Sequence, residues 1–120
     1  QPEGPLFYAG MLKKEMGNLD FTKDVRTIER MVRGLYSWPG AYTYLGGRML
    51  KILAAEISEE TSAGNPGEVI SVTAERIVIQ CGRGSLAVTR VKPQAKKEMS
   101  VHDYLLGNKV VPGEMATNHE

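Results

Sequence analysis

The chain contains a single cysteine, Cys81, a single tryptophan, Trp38, and only two histidines, His102 and His119. One thiol excludes an internal disulfide framework and fits a reducing compartment, so the expected location is cytoplasmic. With so few soft or imidazole ligands, and those far apart in sequence, none of the close pairs that zinc sites require can form. No nucleophile, base and orienting group can be assembled either, so no catalytic, cofactor-binding or metal site is expected in this chain. No run approaches the roughly 18–20 apolar residues of a membrane span, and Gln1-Pro2-Glu3-Gly4-Pro5 is unlike a signal peptide, so no membrane partner is expected. An excess of charge is also missing: 15 Lys and Arg face 14 Asp and Glu. No whole-molecule field therefore marks the chain as a DNA binder, and any basic footprint must be local.

What is there is an ordinary globular mixture over 120 residues, enough for one domain that hides roughly two-thirds of its unfolded surface in one small core. The opening pentapeptide, rich in Pro and Gly and without an initiator Met, is of linker type and suggests a piece of a longer polypeptide. Residues 1–21 read as linker and entry arm, with a turn at Gly17-Asn18, residues 22–112 as the folded domain, and residues 113–120 as a flexible tail.

Val25, Ile28, Met31, Val32 and Leu35 recur at three- and four-residue steps, which predicts an amphipathic helix over Thr22–Leu35 with Thr22 as its cap and Asp24 in the first turn. Arg26, Arg30 and Arg33 share its solvent side, where Glu29 can pair with Arg26 or Arg33. After Gly40 the pattern changes to five short β-rich runs: Ala41–Leu45, Met49–Glu56, Glu68–Thr73, Arg76–Gln80 and Ser85–Val91. Gly46-Gly47, a polar loop over 58–67, Ala74-Glu75 and Gly82-Arg83-Gly84 separate them, mostly as hairpin turns of an antiparallel meander. Five short strands remove their exposed edges by closing, so the fold class is mainly β with flanking helices. It is a five-stranded OB-like antiparallel barrel preceded by one amphipathic helix and followed by a short one. The polar connector Lys92–Met99 leads to that second helix, Val101–Leu106, opened by Ser100 with Asp103 three residues on and stopped by Gly107-Asn108.

Gly82-Arg83-Gly84 lacks the glycine spacing and the Lys-Ser/Thr ending of a phosphate loop, and Glu59-Glu60 reads as a solvated loop pair rather than an acid and a base. The remaining signal is basic: Arg48 and Lys51 near the second strand, Arg83 in a turn, Arg90 late in the fifth strand, and Lys96-Lys97 in the connector. Cations at strand ends of a small barrel suit a surface that tracks an RNA backbone. With few aromatics for stacking, and Tyr42 and Tyr44 equally suited to packing within the barrel, such a surface reads shape more than bases.

The segments Asn18-Leu19-Asp20-Phe21-Thr22, Ile28-Glu29-Arg30-Met31-Val32-Arg33-Gly34-Leu35, Trp38-Pro39-Gly40-Ala41-Tyr42-Thr43, Leu50-Lys51-Ile52 and Lys96-Lys97-Glu98-Met99-Ser100, with Pro112-Gly113 beyond, resemble the C-terminal domain of the methionyl-tRNA formyltransferases in order and spacing. The resemblance implies a domain that binds tRNA, with initiator tRNA and the N-terminal catalytic domain of the same polypeptide as partners. It implies 10-formyltetrahydrofolate as the formyl donor of the parent enzyme, with no cofactor in this chain and no formyl transfer by this chain alone. By motif it assigns tRNA contact to Arg33, Lys51, Lys96 and Lys97; Arg48, Arg83 and Arg90 join them on charge and position. Trp38, ahead of Pro39, reads as a packing anchor between helix and barrel. Related barrels occur in other folate-dependent formyltransferases, so a structural interdomain module that does not bind RNA is the alternative.

Overall fold

The structure, a computed structural model, describes residues 17–35, 40–58 and 64–117. Trp38, Glu59, Glu60 and His119, together with most of the entry arm, lie outside the described residues. Helix α1 spans Val25–Gly34 and buries Val25, Ile28 and Val32, the stripe that the three- and four-residue spacing sets out. Its cap is Asp24, whose carboxylate accepts from the Arg26 amide at 2.9 Å. Thr22 does not serve as the cap. Its hydroxyl and amide both donate to Asp20 Oδ1, at 2.6 and 3.0 Å, so the hydroxyl is spent on a turn just before the helix. These two bonds hold the Asp20 carboxyl below the usual carboxylate range, the hydroxyl contributing most.

The strands are β1 (Ala41–Leu45), β2 (Arg48–Ser58), β3 (Val69–Val72), β4 (Ile77–Gln80), β5 (Ser85–Pro93), β6 (Met99–Ser100) and β7 (Ala116–Thr117), with α2 (Val101–Gly107) after β6. Gly46 and Gly47 both have positive φ, 65° and 79°, the geometry of a tight two-residue hairpin turn whose twist matches the flanking strands. All ladders are antiparallel, in the order β3-β4-β5-β2-β1-β7, with β6 added on β5. The expected simple meander is therefore wrong at one step: β2 pairs with β5, and the long connection after Ser58 carries the chain across to β3. In place of the expected five-stranded barrel, the described residues form a curled antiparallel sheet of seven strands with a helix at each side.

The segment 113–117, expected to be a flexible tail, is held on both sides. Val69 N–H donates to Glu114 O at 2.8 Å, Gly113 N–H to Val69 O at 2.8 Å, and Ala116 N–H to Gly67 O at 2.7 Å. On its other side β7 pairs with Tyr44 and Leu45 of β1, and the Thr43 hydroxyl donates to Thr117 O at 2.8 Å. The tail thus joins the two ends of the curled sheet, satisfying backbone groups that an open edge would leave to water.

Inside the curl, Leu50, Ile52, Ile77, Ile79, Leu86, Val88 and Val91 meet Leu19, Ile28 and Val32 in one core. The β4–β5 turn seals its end against α1: Val25 N–H donates to Arg83 O at 2.9 Å and Gly82 N–H to Lys23 O at 3.0 Å. A turn carbonyl thereby satisfies one of the amides that the first helical turn cannot pair internally. Cys81 lies buried beneath this junction. Burial, helped by the Asp24 charge, pushes its thiol up to about 12, so it stays protonated and unreactive at neutral pH. Because the folded value is raised, its contribution to stability is complete below the ordinary thiol range and is lost as pH climbs towards 12. Cys81→Ala is expected to flatten the alkaline arm of a stability-against-pH curve. In the native chain, alkylation of Cys81 is expected to proceed only at the rate of opening, which mass spectrometry after timed iodoacetamide exposure measures.

Candidate nucleic-acid interface

Along β2, Leu50 and Ile52 point into the core, so Lys51 between them points outward. On β5, Val91 is buried and Lys92 lies on the same outer face. The register sets Tyr42 of β1, Lys51 of β2 and Lys92 of β5 directly opposite one another in a single row. Side chains so paired stand roughly 5 Å apart at Cβ, and like charges placed there repel. Among the described residues neither lysine makes an ion pair with a carboxylate. In the next row Tyr44 faces Met49, and the Tyr42 and Tyr44 rings meet edge to face, with centroids 5.9 Å apart and planes at 89°.

Beyond this row Arg48 opens β2, exposed to solvent. The β5–β6 connector brings in Lys96 and Lys97, also exposed, after a turn closed by Lys96 N–H to Pro93 O at 3.1 Å. Arg48, Met49, Pro93, Lys96, Met99 and Tyr104 line a cleft of about 740 Å³ between β2, the connector and α2. Burial pushes the Tyr104 phenol up, an effect that the nearby Arg48 cation opposes. Helix α2 starts as the sequence implies, with the Ser100 hydroxyl accepting from the Asp103 amide at 3.1 Å, and this fixes one wall.

Four of the seven cations named from the sequence, Arg48, Lys51, Lys96 and Lys97, thus gather around one end of the β2–β5 ladder. The other three stand differently. Arg33 is paired with Glu29 at 2.6 Å along α1. Arg90 is paired with Glu98 at 3.2 Å, so it clasps the connector to β5. Arg83 sits at the far end of β5, roughly 25 Å from the connector by the length of a nine-residue strand.

Lys92 and Lys109 escaped the sequence reading. Strict alternation from Leu86 and Val88 would turn Lys92 inward. The irregular β2–β5 register around Arg90 returns Val91 to the core instead, so both the outward face of Lys92 and its place opposite Lys51 need the register. Lys109 lines a neighbouring hollow with Arg48 and Tyr104, and no spacing signals it. His102 is exposed, with Nδ1 at 3.6 Å from Asp103, and Glu56, Arg76, Thr89 and Ser100 surround it in a separate shallow hollow. Among the described residues no group of three or more His, Cys, Asp or Glu could hold a metal ion, and no helix is long and apolar enough to cross a membrane.

Comparison with known proteins places these features in a wider set. The sequence profile of the formyl transferase C-terminal domain matches residues 11–109. The methionyl-tRNA formyltransferase of Geobacter metallireducens is 40% identical over 106 residues, 88% of this chain and 33% of that protein. That of Lachnospira eligens is 38% identical over 120 residues, 96% of this chain and 38% of that protein. The chain therefore spans little more than a third of the length of these relatives. Among solved structures, a variant of HypX from Aquifex aeolicus superposes with a TM-score of 0.66 at 25% identity, over 88% of this chain and 19% of HypX. HypX in complex with tetrahydrofolic acid gives 0.64 at 23% identity, over 92% of this chain and 21% of HypX.

Proposed function

The chain belongs to the formyl transferase C-terminal domain family, and from that premise we propose that it is the tRNA-binding part of a methionyl-tRNA formyltransferase, a cytoplasmic enzyme of translation initiation. The curled sheet, read as an OB-like barrel, holds initiator tRNA by its phosphates. A catalytic domain elsewhere in the polypeptide moves the formyl group of 10-formyltetrahydrofolate to the methionyl amine. The carrying observation is the Lys51–Lys92 pair, two cations directly opposed on an outer sheet face without carboxylate partners among the described residues. A fold gains nothing by opposing like charges, whereas an anionic backbone laid across the face relieves their repulsion. Binding energy from a remote part of the tRNA then orients its aminoacyl end for a reaction this chain does not itself perform.

The test is binding of the chain to tRNA across a salt series. Steep weakening with salt is expected as condensed counterions are released, with little preference for initiator over elongator tRNA. Absence of binding at low salt, or binding that ignores salt, would sink the proposal. Replacing Lys96 and Lys97 together with Ala should lower affinity and leave the melting curve unchanged. A second reading is favoured by the same fold in HypX, a protein crystallised with tetrahydrofolic acid: a packing module that shapes a neighbouring folate-using domain and ignores RNA. It expects the opposite outcome of the salt series.

A further inference from the structure

Resting on the RNA reading above, we propose that the cleft between the start of β2, the β5–β6 connector and α2 receives one unstacked nucleotide of the bound RNA. Its volume of about 740 Å³ lies within the range of small-molecule pockets. It adjoins the lysine row directly, because Met49 is two residues from Lys51 on the same outer face, roughly 7 Å along the strand. An RNA strand crossing Lys51 and Lys92 therefore reaches the cleft within one step of its backbone.

The cleft is apolar below and cationic above. Met49, Pro93 and Met99 are half-buried and Tyr104 is buried. They offer adaptable thioether and ring surface to the face of a base, which every base possesses. Arg48 and Lys96 stand exposed at the rim, without ion pairs among the described residues, where the phosphate of that nucleotide would lie. Asp103 and Asn108 line the wall formed by α2. A carboxylate there repels a second phosphate and accepts from an exocyclic amino group. The nucleotide is thus oriented with its phosphate towards Arg48 and its amino edge towards Asp103, a fit for cytidine over uridine.

The rim is also held in place. Ala95, at the tip of the connector turn, has φ 64°, the one non-glycine among the described residues in the left-handed region. That conformation is strained for a residue that carries a side chain and persists only where surrounding contacts enforce it. The contacts are the Lys96 N–H to Pro93 O bond, Gln94 N–H to Met49 O at 3.3 Å and the Arg90–Glu98 pair. Together they fix Lys96 over the floor instead of leaving it on a free loop.

The experiment titrates the isotope-labelled chain with short oligocytidylate, oligouridylate, a duplex RNA of the same length and inorganic phosphate, following backbone amides by NMR. Oligocytidylate is expected to shift Met49, Ala95, Lys96 and Asp103 and to bind more tightly than oligouridylate. Met49→Ala is expected to weaken oligocytidylate about tenfold, the scale of one lost base-stacking contact, while leaving duplex affinity unchanged. Arg48→Gln, at an exposed position, gives a second variant with the same expected loss. Inorganic phosphate reproducing the oligonucleotide shifts, or duplex matching single strand in affinity and in shifts, would overturn the proposal. Salt-dependent tRNA binding with silent cleft amides overturns the cleft alone and leaves the proposed function standing. Loss of all salt-dependent RNA binding overturns both.

Discussion

Gly82→Ala is expected to destabilise the domain by about 3 kcal/mol, the upper part of the range for forcing extra atoms into a packed site. A Cβ built on Gly82 would lie 1.8 Å from Thr22 O and 2.6 Å from Thr22 C. The obstacle is backbone, so no rotamer change relieves it. Either the β4–β5 turn lifts off α1 or the helix start retreats, and both break the Val25 N–H to Arg83 O and Gly82 N–H to Lys23 O bonds. The cost falls on burial as well as on hydrogen bonding, since Val25 packs against this turn. A Cβ at neighbouring Gly84, where φ is 81°, would stand only 2.6 Å from Val25 Cγ1. A chemical-denaturation midpoint unchanged in Gly82→Ala would show that the turn and helix are not locked together. A matched change at Gly46, whose added Cβ would meet nothing within 4 Å but whose φ is 65°, is expected to cost only about 1–2 kcal/mol of backbone strain.

This turn shows where the sequence is readable and where it is not. Gly82-Arg83-Gly84 reads as a hairpin turn from its glycines and the β-rich runs on either side, and it is one. That its carbonyl caps α1 depends on a contact across roughly 60 residues of chain, which no local pattern carries. The same divide runs through the rest of the fold. The helical stripe Val25, Ile28, Val32 declares itself because burial repeats at helical period. The five β-rich runs do so because turn residues separate them, although β1, β4 and the start of β5 bury successive residues rather than alternate ones. β6 and β7 have two residues each, too few to show any period, so the tail that joins the ends of the sheet looks loose in the sequence. Thr22 reads as the cap and Asp24 as a residue of the first turn, but Thr22 bonds to Asp20 and the cap falls to Asp24, two residues on. At the interface, charge picks out Lys51, Arg48 and the Lys96-Lys97 pair. Only the β2–β5 register adds Lys92; the fold sets Glu98 against Arg90, and Glu29 takes Arg33 of the two partners its spacing offers.

Reversing both lysines of the row, Lys51→Glu with Lys92→Glu, is expected to lower tRNA affinity at low salt by about a hundredfold or more. It should also reduce the salt slope by about two, one for each phosphate contact removed. The single changes separate binding from folding. Lys51→Glu alone places opposite charges across the β2–β5 ladder, where the native pair repels, and should raise stability by about 0.2–1 kcal/mol while weakening tRNA. The double change restores a like-charged pair, so its stability should return towards that of the native chain while its affinity falls further. A thermodynamic cycle over the four proteins therefore gives coupling in stability without matching coupling in binding. If affinity instead follows stability through the cycle, the lysines act on the fold and the tRNA surface lies elsewhere. If neither single change weakens tRNA, Lys51 and Lys92 have no phosphate to meet, and the reading of a packing module that ignores RNA becomes the better account.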